Sequence, residues 1–150
     1  MEQGACLRAW SARGRGSQLT RLLFDTTFLI DAERAGAELD ELIGDDDDVA
    51  ISAITVAELE VGVEMASGRS RRDREGFVTD VVATVPVLSY DVDVARAHAS
   101  LLVAVRRQGR ARGAHDLIIA ATARAASRTV LTADETAFDA LPNVAVRLHR

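Results

Sequence analysis

Short apolar runs recur along the chain and are separated by longer segments with helical periodicity. The runs are apolar almost throughout rather than alternating with polar residues, which is typical of strands buried on both faces of a parallel sheet. They predict five strands, RLLF (21–24), VAIS (49–52), VPVLSYD (85–91), TVLTAD (129–134) and VAVRL (144–148).

The segments between these runs predict helices, several of which end at glycine. In residues 93–109, for example, Val94, Leu101 and Val105 fall on one face of a helix, together with Ala97 and Leu102. The other predicted helices are FLIDAERAG (28–36), AELDELIG (37–44), TVAELEVGVEMASG (55–68, with Thr55 as its N-cap), RSRRDREGFVTDVVATV (69–85) and HDLIIAATARAAS (115–127), with a short helical turn ETAFDAL (135–141).

Alternating strands and helices predict one α/β domain with three layers, α/β/α, around a central, mainly parallel sheet. We expect this domain to span residues 20–150 and to follow a flexible tail over residues 1–19, which has no apolar segment typical of a secretory signal. No run approaches the roughly 20 apolar residues of a membrane helix, so no membrane association is expected. The single cysteine, Cys6, excludes an intramolecular disulfide and fits a cytoplasmic location.

The charged residues narrow the possible chemistry. All 18 basic residues are arginines. Without lysine, a P-loop and Schiff-base catalysis are both excluded. The net charge of −5 is unevenly distributed, because arginines cluster in residues 69–75 and 106–112. A basic rim can therefore coexist with a negative total charge.

Four acidic residues are predicted to meet at one edge of the sheet. Asp25 ends the first strand, Glu58 lies early in the helix after the second strand, Asp116 opens a buried helix, and Asp134 ends the strand at 129–134. In open α/β sheets, ligands bind outside the carboxyl ends of the strands. Each acid also has a structural explanation, as a cap, a turn residue or a partner of a helix dipole. Four clustered carboxylates, however, would repel one another unless a cation lay among them.

An all-oxygen ligand set favours Mg²⁺ or Mn²⁺ over zinc. Such ions activate water and stabilise leaving oxygens on phosphates, so the pattern indicates phosphodiester hydrolysis without a covalent nucleophile. Response regulators and haloacid-dehalogenase phosphatases also place an aspartate after an apolar strand. Both use a lysine, which this chain lacks, and the second usually has D-x-D where this chain has Thr27.

The segments LLFDTTFLID, ISAITVAELEVGV, HDLIIAATA and VLTADETAF resemble, in order and spacing, those of PIN-domain ribonucleases, especially VapC-type toxins of bacterial type II toxin–antitoxin systems. The resemblance covers about residues 21 to 148. It implies a metal-dependent endoribonuclease, usually a homodimer, that acts on RNA and is inhibited by a cognate antitoxin. It also implies that Asp25, Glu58, Asp116 and Asp134 bind the metal and that Thr132 assists. Either Thr26 or Thr27 matches a further hydroxyl position.

Three further residues are candidates near the acids. Arg110 and Arg112 precede Asp116 and are predicted to contact RNA phosphates, unless they lie in a solvated loop. His115 could be a ligand or base, although a cap or orienting role is the more common one. A catalytically inactive PIN-like module that binds RNA or a protein stays open as an alternative function.

Overall fold

The structure, a computed structural model, describes residues 20–38, 41, 43–134 and 136–149. The predicted tail over residues 1–19 lies outside the described residues, and the helix predicted for 37–44 falls partly on residues outside them (39, 40 and 42). The elements are β1 (Arg21–Phe24), α1 (Thr26–Arg34), β2 (Asp48–Ser52), α2 (Ala53–Met65), α3 (Gly68–Thr84), β3 (Val87–Leu88), α4 (Val92–Gln108), α5 (Ala114–Ala125), β4 (Thr129–Thr132) and β5 (Val146–Leu148).

The five strands form one parallel sheet in the order β3-β2-β1-β4-β5. In the centre, Leu23 of β1 pairs with Ala50 of β2 on one side and with Val130 of β4 on the other. The central parallel sheet predicted from the apolar runs is therefore confirmed.

Helices cover both faces of the sheet, and each face has its own apolar core. Leu22 and Phe24 of β1 point into the core formed with α1, α2 and α3. Leu23, between them, points into the core formed with α4 and α5. This alternation follows from the period of two along a strand. It confirms the three-layer α/β/α architecture.

The strand order also locates the crevice in which a ligand can bind. The chain moves from β1 outward to β2 and β3, and then returns to the other side of β1 with β4 and β5. Ligands of open α/β sheets bind where the strand order reverses in this way, outside the carboxyl ends of the strands. In this fold that place lies between the carboxyl ends of β1 and β4.

The start of α2 differs from the prediction. Its N-cap is Ser52, the last residue of β2, whose hydroxyl accepts a hydrogen bond from the Ile54 backbone N–H at 3.3 Å. The prediction of Thr55 as the N-cap is wrong because the strand runs into the helix without a loop. Thr55 lies inside the helix and is fully buried. Gly68 begins α3 rather than ending α2. Among the described residues, no helix is long and apolar enough to cross a membrane.

Candidate metal centre

Asp25 occupies the carboxyl end of the central strand and is buried, with 2% of its surface exposed. It is the N-cap residue of α1, yet its side chain makes no capping hydrogen bond. Instead its Oδ2 accepts hydrogen bonds of 2.7 Å from the hydroxyls of Thr27 and Thr132. The carboxylate is therefore oriented by side chains of two segments and is not used to cap the helix.

The two threonines hold the ends of β1 and β4 together. Their hydroxyl oxygens lie 3.2 Å apart. Thr27 Oγ1 also accepts from the Ala133 backbone N–H at 3.2 Å, and Thr132 Oγ1 accepts from that of Asp134 at 3.0 Å. Each hydroxyl thus donates to Asp25 and accepts from the chain after β4. This network fixes both the carboxylate of Asp25 and the backbone that carries Asp134.

Glu58 reaches the same region from the second turn of α2. Thr26 Oγ1 donates to Glu58 Oε1 at 3.1 Å and lies 3.2 Å from Thr55 Oγ1. Burial raises the pKa of Glu58, and the charge of Asp25 raises it further, while the hydrogen bond from Thr26 and the proximity of His115 oppose the rise. The two adjacent threonines of α1 therefore serve different carboxylates.

Asp116 is the third residue of α5, and its electrostatic environment connects all four acids. Burial is the largest cause that raises its pKa to about 6, followed by the negative charges of Asp25, Glu58 and Asp134. His115 acts in the opposite direction. The charges of the other three acids thus act on Asp116, as expected for carboxylates near one edge of the sheet.

Asp134 is bound more tightly to its own loop than the other acids are. Its Oδ1 accepts from the Thr136 backbone N–H at 3.0 Å, the Thr136 hydroxyl at 3.1 Å and the Ala137 backbone N–H at 3.2 Å. These hydrogen bonds, first that from the Thr136 backbone, hold the pKa of Asp134 below its ordinary value. Asp134 is thus a turn residue and a member of the acidic group at the same time.

The donor chemistry of this group fits a hard divalent cation, because every candidate ligand is an oxygen. The fit is not complete. Across the part of the chain that the structure describes, no three or more His, Cys, Asp or Glu side chains are arranged to hold an ion. The acids face one another electrostatically without forming a closed cage.

The two arginines predicted to contact phosphate are both engaged within the protein. The guanidinium of Arg112 donates to the backbone carbonyls of Thr136, at 2.7 Å, and Asp139. Arg110 forms an exposed ion pair of 3.5 Å with the carboxylate of Asp139. A role of either residue in RNA binding stays a prediction. Arg112, however, has a structural role that its sequence position did not indicate.

Glu58 also lines a cleft of ≈ 930 Å³ between α1, α2 and α3. Its wall includes the apolar side chains of Leu59 and Phe77, and its rim carries the arginines Arg69 and Arg72 of α3. Acidic residues, among them Asp73 and Asp80, line the cleft as well, so one member of the acidic group, Glu58, faces a groove with apolar, basic and acidic walls.

Sequence reasoning missed two residues that shape the site. Thr55 was interpreted as a cap, although its spacing of three from Glu58 equally places both side chains on one face of a helix. Gly113, the N-cap of α5, lies so close to Asp116 that a Cβ there would be 2.8 Å from Asp116 Oδ2. In the sequence, the only indication of this close approach is that a glycine stands three residues before the acid.

The comparisons with known proteins agree with this geometry. Residues 22–144 match the family model of the PIN domain. Ribonuclease VapC5 of Mycobacterium tuberculosis is 36% identical over 113 residues, which cover 75% of this chain and 82% of that protein. VapC ribonuclease Y4jK of Sinorhizobium fredii is 40% identical over 95 residues, or 60% of this chain and 67% of that protein.

A solved structure supports the same assignment. The crystal structure of VapBC-5 from Mycobacterium tuberculosis, described as a member of the VapBC family of toxin-antitoxin systems, aligns with a TM-score of 0.66 and 34% identity. The alignment covers 84% of this chain and 94% of that one. The parallel sheet, with acids near its carboxyl edge, and these ribonuclease relatives together identify the fold as that of a nuclease domain. The chain belongs to the PIN-domain family.

Proposed function

We propose that this chain is a metal-dependent endoribonuclease and acts as the toxin of a toxin–antitoxin pair. The observation that carries the proposal is the buried carboxylate of Asp25, which two hydroxyls at 2.7 Å hold at the carboxyl end of the central strand, together with the charges of Asp25, Glu58 and Asp134 that act on Asp116. A pocket that concentrates negative charge in this way gains stability when a divalent cation enters it. The ribonuclease activity named for the two VapC relatives gives that cation a reaction to serve.

Asp25, Glu58, Asp116 and Asp134 would hold Mg²⁺ or Mn²⁺. Once bound, such an ion supplies an activated water and stabilises the leaving oxygen of a phosphodiester. The chain's own contribution is orientation. Thr27 and Thr132 fix the rotamer of Asp25, and Thr26 holds Glu58, so that few side chains need to reorganise.

The proposed substrate is RNA, and Arg110 is the better placed of the two predicted phosphate contacts. Its side chain is about half exposed, and its ion pair with Asp139 is long and solvent-accessible. Such pairs contribute little to stability, typically about 0–1 kcal/mol, so a phosphate can replace Asp139 at low cost. Arginines Arg69 and Arg72 also line the cleft beside Glu58, together with acidic residues.

The proposed partners are a cognate antitoxin and a second copy of this chain, and the proposed location is the cytoplasm. The VapBC-5 structure is of a toxin–antitoxin family member, and its alignment extends over most of this chain. The cleft beside Glu58 offers an apolar wall against which an inhibitory segment could bind. Occupation of that cleft would separate RNA from the acids.

A second candidate function is a PIN-like module that binds RNA or a protein without cleaving RNA. It is favoured by one observation, that no group of potential ligands among the described residues is arranged to hold an ion. The two functions differ in what happens when metal is removed. A binding module would retain its partner in EDTA and would never turn over.

The experiment is RNA cleavage by the purified full-length chain in Mg²⁺, in Mn²⁺ and in EDTA, with mapping of the cut ends. We expect cleavage with either ion, none in EDTA, and none by Asp25→Asn. The matched control is Asp93→Asn, which neutralises an exposed acid in the first turn of α4. If the wild-type protein leaves RNA intact with both ions while still binding it, the second function replaces the first.

A further inference from the structure

We infer that Arg112 is a positioning residue of the metal centre, which clamps the segment leading into Asp116 to the turn that follows Asp134. The inference rests on the proposed function, because it assigns a role within the same site. It also changes the role expected of Arg112 from a contact with substrate to a contact that arranges the acids.

Two hydrogen bonds from the guanidinium of Arg112 define the clamp. Its Nη1 donates to the Thr136 carbonyl at 2.7 Å and its Nη2 to the Asp139 carbonyl. The exposed ion pair between Arg110 and Asp139 joins the same two segments at 3.5 Å but adds little to their stability. A guanidinium is suited to this geometry because its donors are fixed in one plane and can reach two acceptors at once. Residues 110–112 are thereby held against residues 136–139.

One end of the clamp leads directly to Asp134. The backbone of Thr136 connects the two, because its carbonyl accepts from Arg112 and its N–H donates to Asp134 Oδ1 at 3.0 Å. The Thr136 hydroxyl and the Ala137 N–H donate to the same oxygen. Movement of the 136–139 turn would therefore move the carboxylate of Asp134.

The other end of the clamp leads to Asp116 through Gly113. Gly113 follows Arg112 and is the N-cap of α5, and a Cβ at Gly113 would lie 2.8 Å from Asp116 Oδ2. The carboxylate of Asp116 therefore packs directly against the backbone that Arg112 anchors. A shift of this loop would therefore move the carboxylate of a proposed metal ligand.

Repulsion between the two acids explains why the segments that carry them need to be held together. Two carboxylates on different segments, Asp116 on α5 and Asp134 on the loop after β4, repel each other when both are ionised. The hydrogen bonds of Arg112 oppose the separation of these segments. A residue with that role acts on the ligands rather than on the RNA.

The test measures three quantities on the purified full-length chain: kcat and KM on a labelled RNA that the wild-type protein cuts, and the Kd for Mn²⁺ by calorimetry. For Arg112→Ala we expect a fall in kcat and a rise in the Mn²⁺ Kd of about tenfold each, the lower end of the range for loss of a residue that orients metal ligands. KM and its salt dependence should not change. Arg112→Lys should recover only part of the loss, because an ammonium lacks the planar fork.

The matched control is Arg107→Ala, which removes the same charge from an exposed position near the end of α4 and should change none of the three quantities. A rise in KM with a shallower salt dependence, and with kcat and the Mn²⁺ Kd unchanged, would make Arg112 a phosphate contact and overturn the inference. A lowered Tm alone would reduce it to a stabilising residue and overturn it equally. If Arg112→Ala does not fold, Arg112→Lys decides, since wild-type kcat and Mn²⁺ affinity in that variant reject the clamp.

The two proposals fail in different ways. RNA cleavage by the wild-type protein tests the proposed function and is independent of Arg112. A wild-type protein that cuts RNA, with an equally active Arg112→Ala variant, rejects the clamp alone. A wild-type protein that binds Mn²⁺ but does not cut RNA rejects the ribonuclease, while the change in Mn²⁺ affinity still tests the clamp.

Discussion

Thr132 Oγ1 donates a hydrogen bond of 2.7 Å to Asp25 Oδ2, although the two residues are 107 positions apart in the chain. They meet because β1 and β4 are neighbours and Phe24 pairs with Leu131 one residue earlier on each strand. An aspartate at the end of a buried strand thus receives one of its two hydrogen bonds from the next strand of the sheet and the other from Thr27 of α1. The charge of this carboxylate acts on both Glu58 and Asp116.

The first prediction tests this hydrogen bond. Thr132→Val keeps the shape of a fully buried side chain but removes the hydroxyl, which also accepts from the Asp134 N–H. We expect about 1–3 kcal/mol lower stability, because polar partners lose their hydrogen bond, and a fall in kcat of about tenfold or more. Denaturant unfolding and RNA cleavage measure the two effects.

Thr132→Ser is the control, because it keeps the hydroxyl, and it should restore most of the stability and of kcat. Equal losses in both variants would show that the methyl group matters and the hydroxyl does not.

Thr26 allows a separate prediction for Glu58. Thr26→Val removes the donor to Glu58 Oε1 but leaves the hydrogen bonds of Asp25 untouched. We expect weaker Mn²⁺ binding by about tenfold, since an unsupported carboxylate must be reordered by the ion. Calorimetry at constant pH measures the change, with Thr26→Ser as the control. An unchanged Mn²⁺ affinity in Thr26→Val would show that Thr26 does not orient Glu58 for metal binding.

The third prediction concerns stability and pH without metal. The folded-state pKa of Asp116 is about 6 against an ordinary 3.8, so the folded chain binds more protons than the unfolded chain between these values. Stability in EDTA should therefore fall as the pH rises from about 4 to about 6. Asp116→Asn removes this loss, and because the side chain is only partly buried we expect a gain of only about 1 kcal/mol at pH 7.

Thermal unfolding in EDTA checks this prediction, and 1 kcal/mol corresponds to about 2–4 °C in Tm for a chain of this size. The difference in Tm between Asp116→Asn and wild type should be largest at pH 7 and should disappear near pH 4. A variant that is less stable than wild type at pH 7 would show that Asp116 makes a favourable contact in the metal-free protein, contrary to the repulsion described above.

The fourth prediction uses two glycines. At Gly113, with φ of −60°, the backbone suits alanine, but the added Cβ would lie 2.8 Å from Asp116 Oδ2. Gly113→Ala should therefore lower kcat by displacing a proposed ligand. Gly76 is the control, because a Cβ there has no heavy atom within 4 Å and the residue lies inside α3. Gly76→Ala should raise stability by about 0.5–1 kcal/mol and leave cleavage unchanged. Equal kcat in both variants would contradict the close approach.

Much of the fold was predictable because it depends on local pattern. Apolar runs without alternation indicated a parallel sheet. The run TVLTAD predicts Asp134 as the last residue of a strand, whereas β4 ends two residues earlier, at Thr132, and Asp134 lies in the loop after it. The start of α2 was not predictable in the same way. Thr55 is a good cap residue by type, but the direct passage from β2 into the helix gave that role to Ser52.

The individual contacts of the site depended on long-range packing. Nothing local to Arg112 indicates that residues 136 and 139 supply its acceptors. Likewise, the choice between Thr26 and Thr27 was open in the sequence because both hydroxyls are adjacent. Helical geometry turns them towards different neighbours, Glu58 and Asp25 respectively.

The most direct test of the shared acidic site is calorimetric titration of Mn²⁺ into the full-length wild-type chain at pH 5 and at pH 7.5, repeated with Asp25→Asn and with the control Asp93→Asn. Because a cation must displace the proton of Asp116, which has a pKa of about 6, wild-type affinity should be clearly higher at pH 7.5 than at pH 5. Asp25→Asn should lose most of the binding, and Asp93→Asn should bind like wild type. Failure of the wild-type chain to bind Mn²⁺ at pH 7.5, or equal binding by Asp25→Asn, would contradict a cation site formed by these carboxylates.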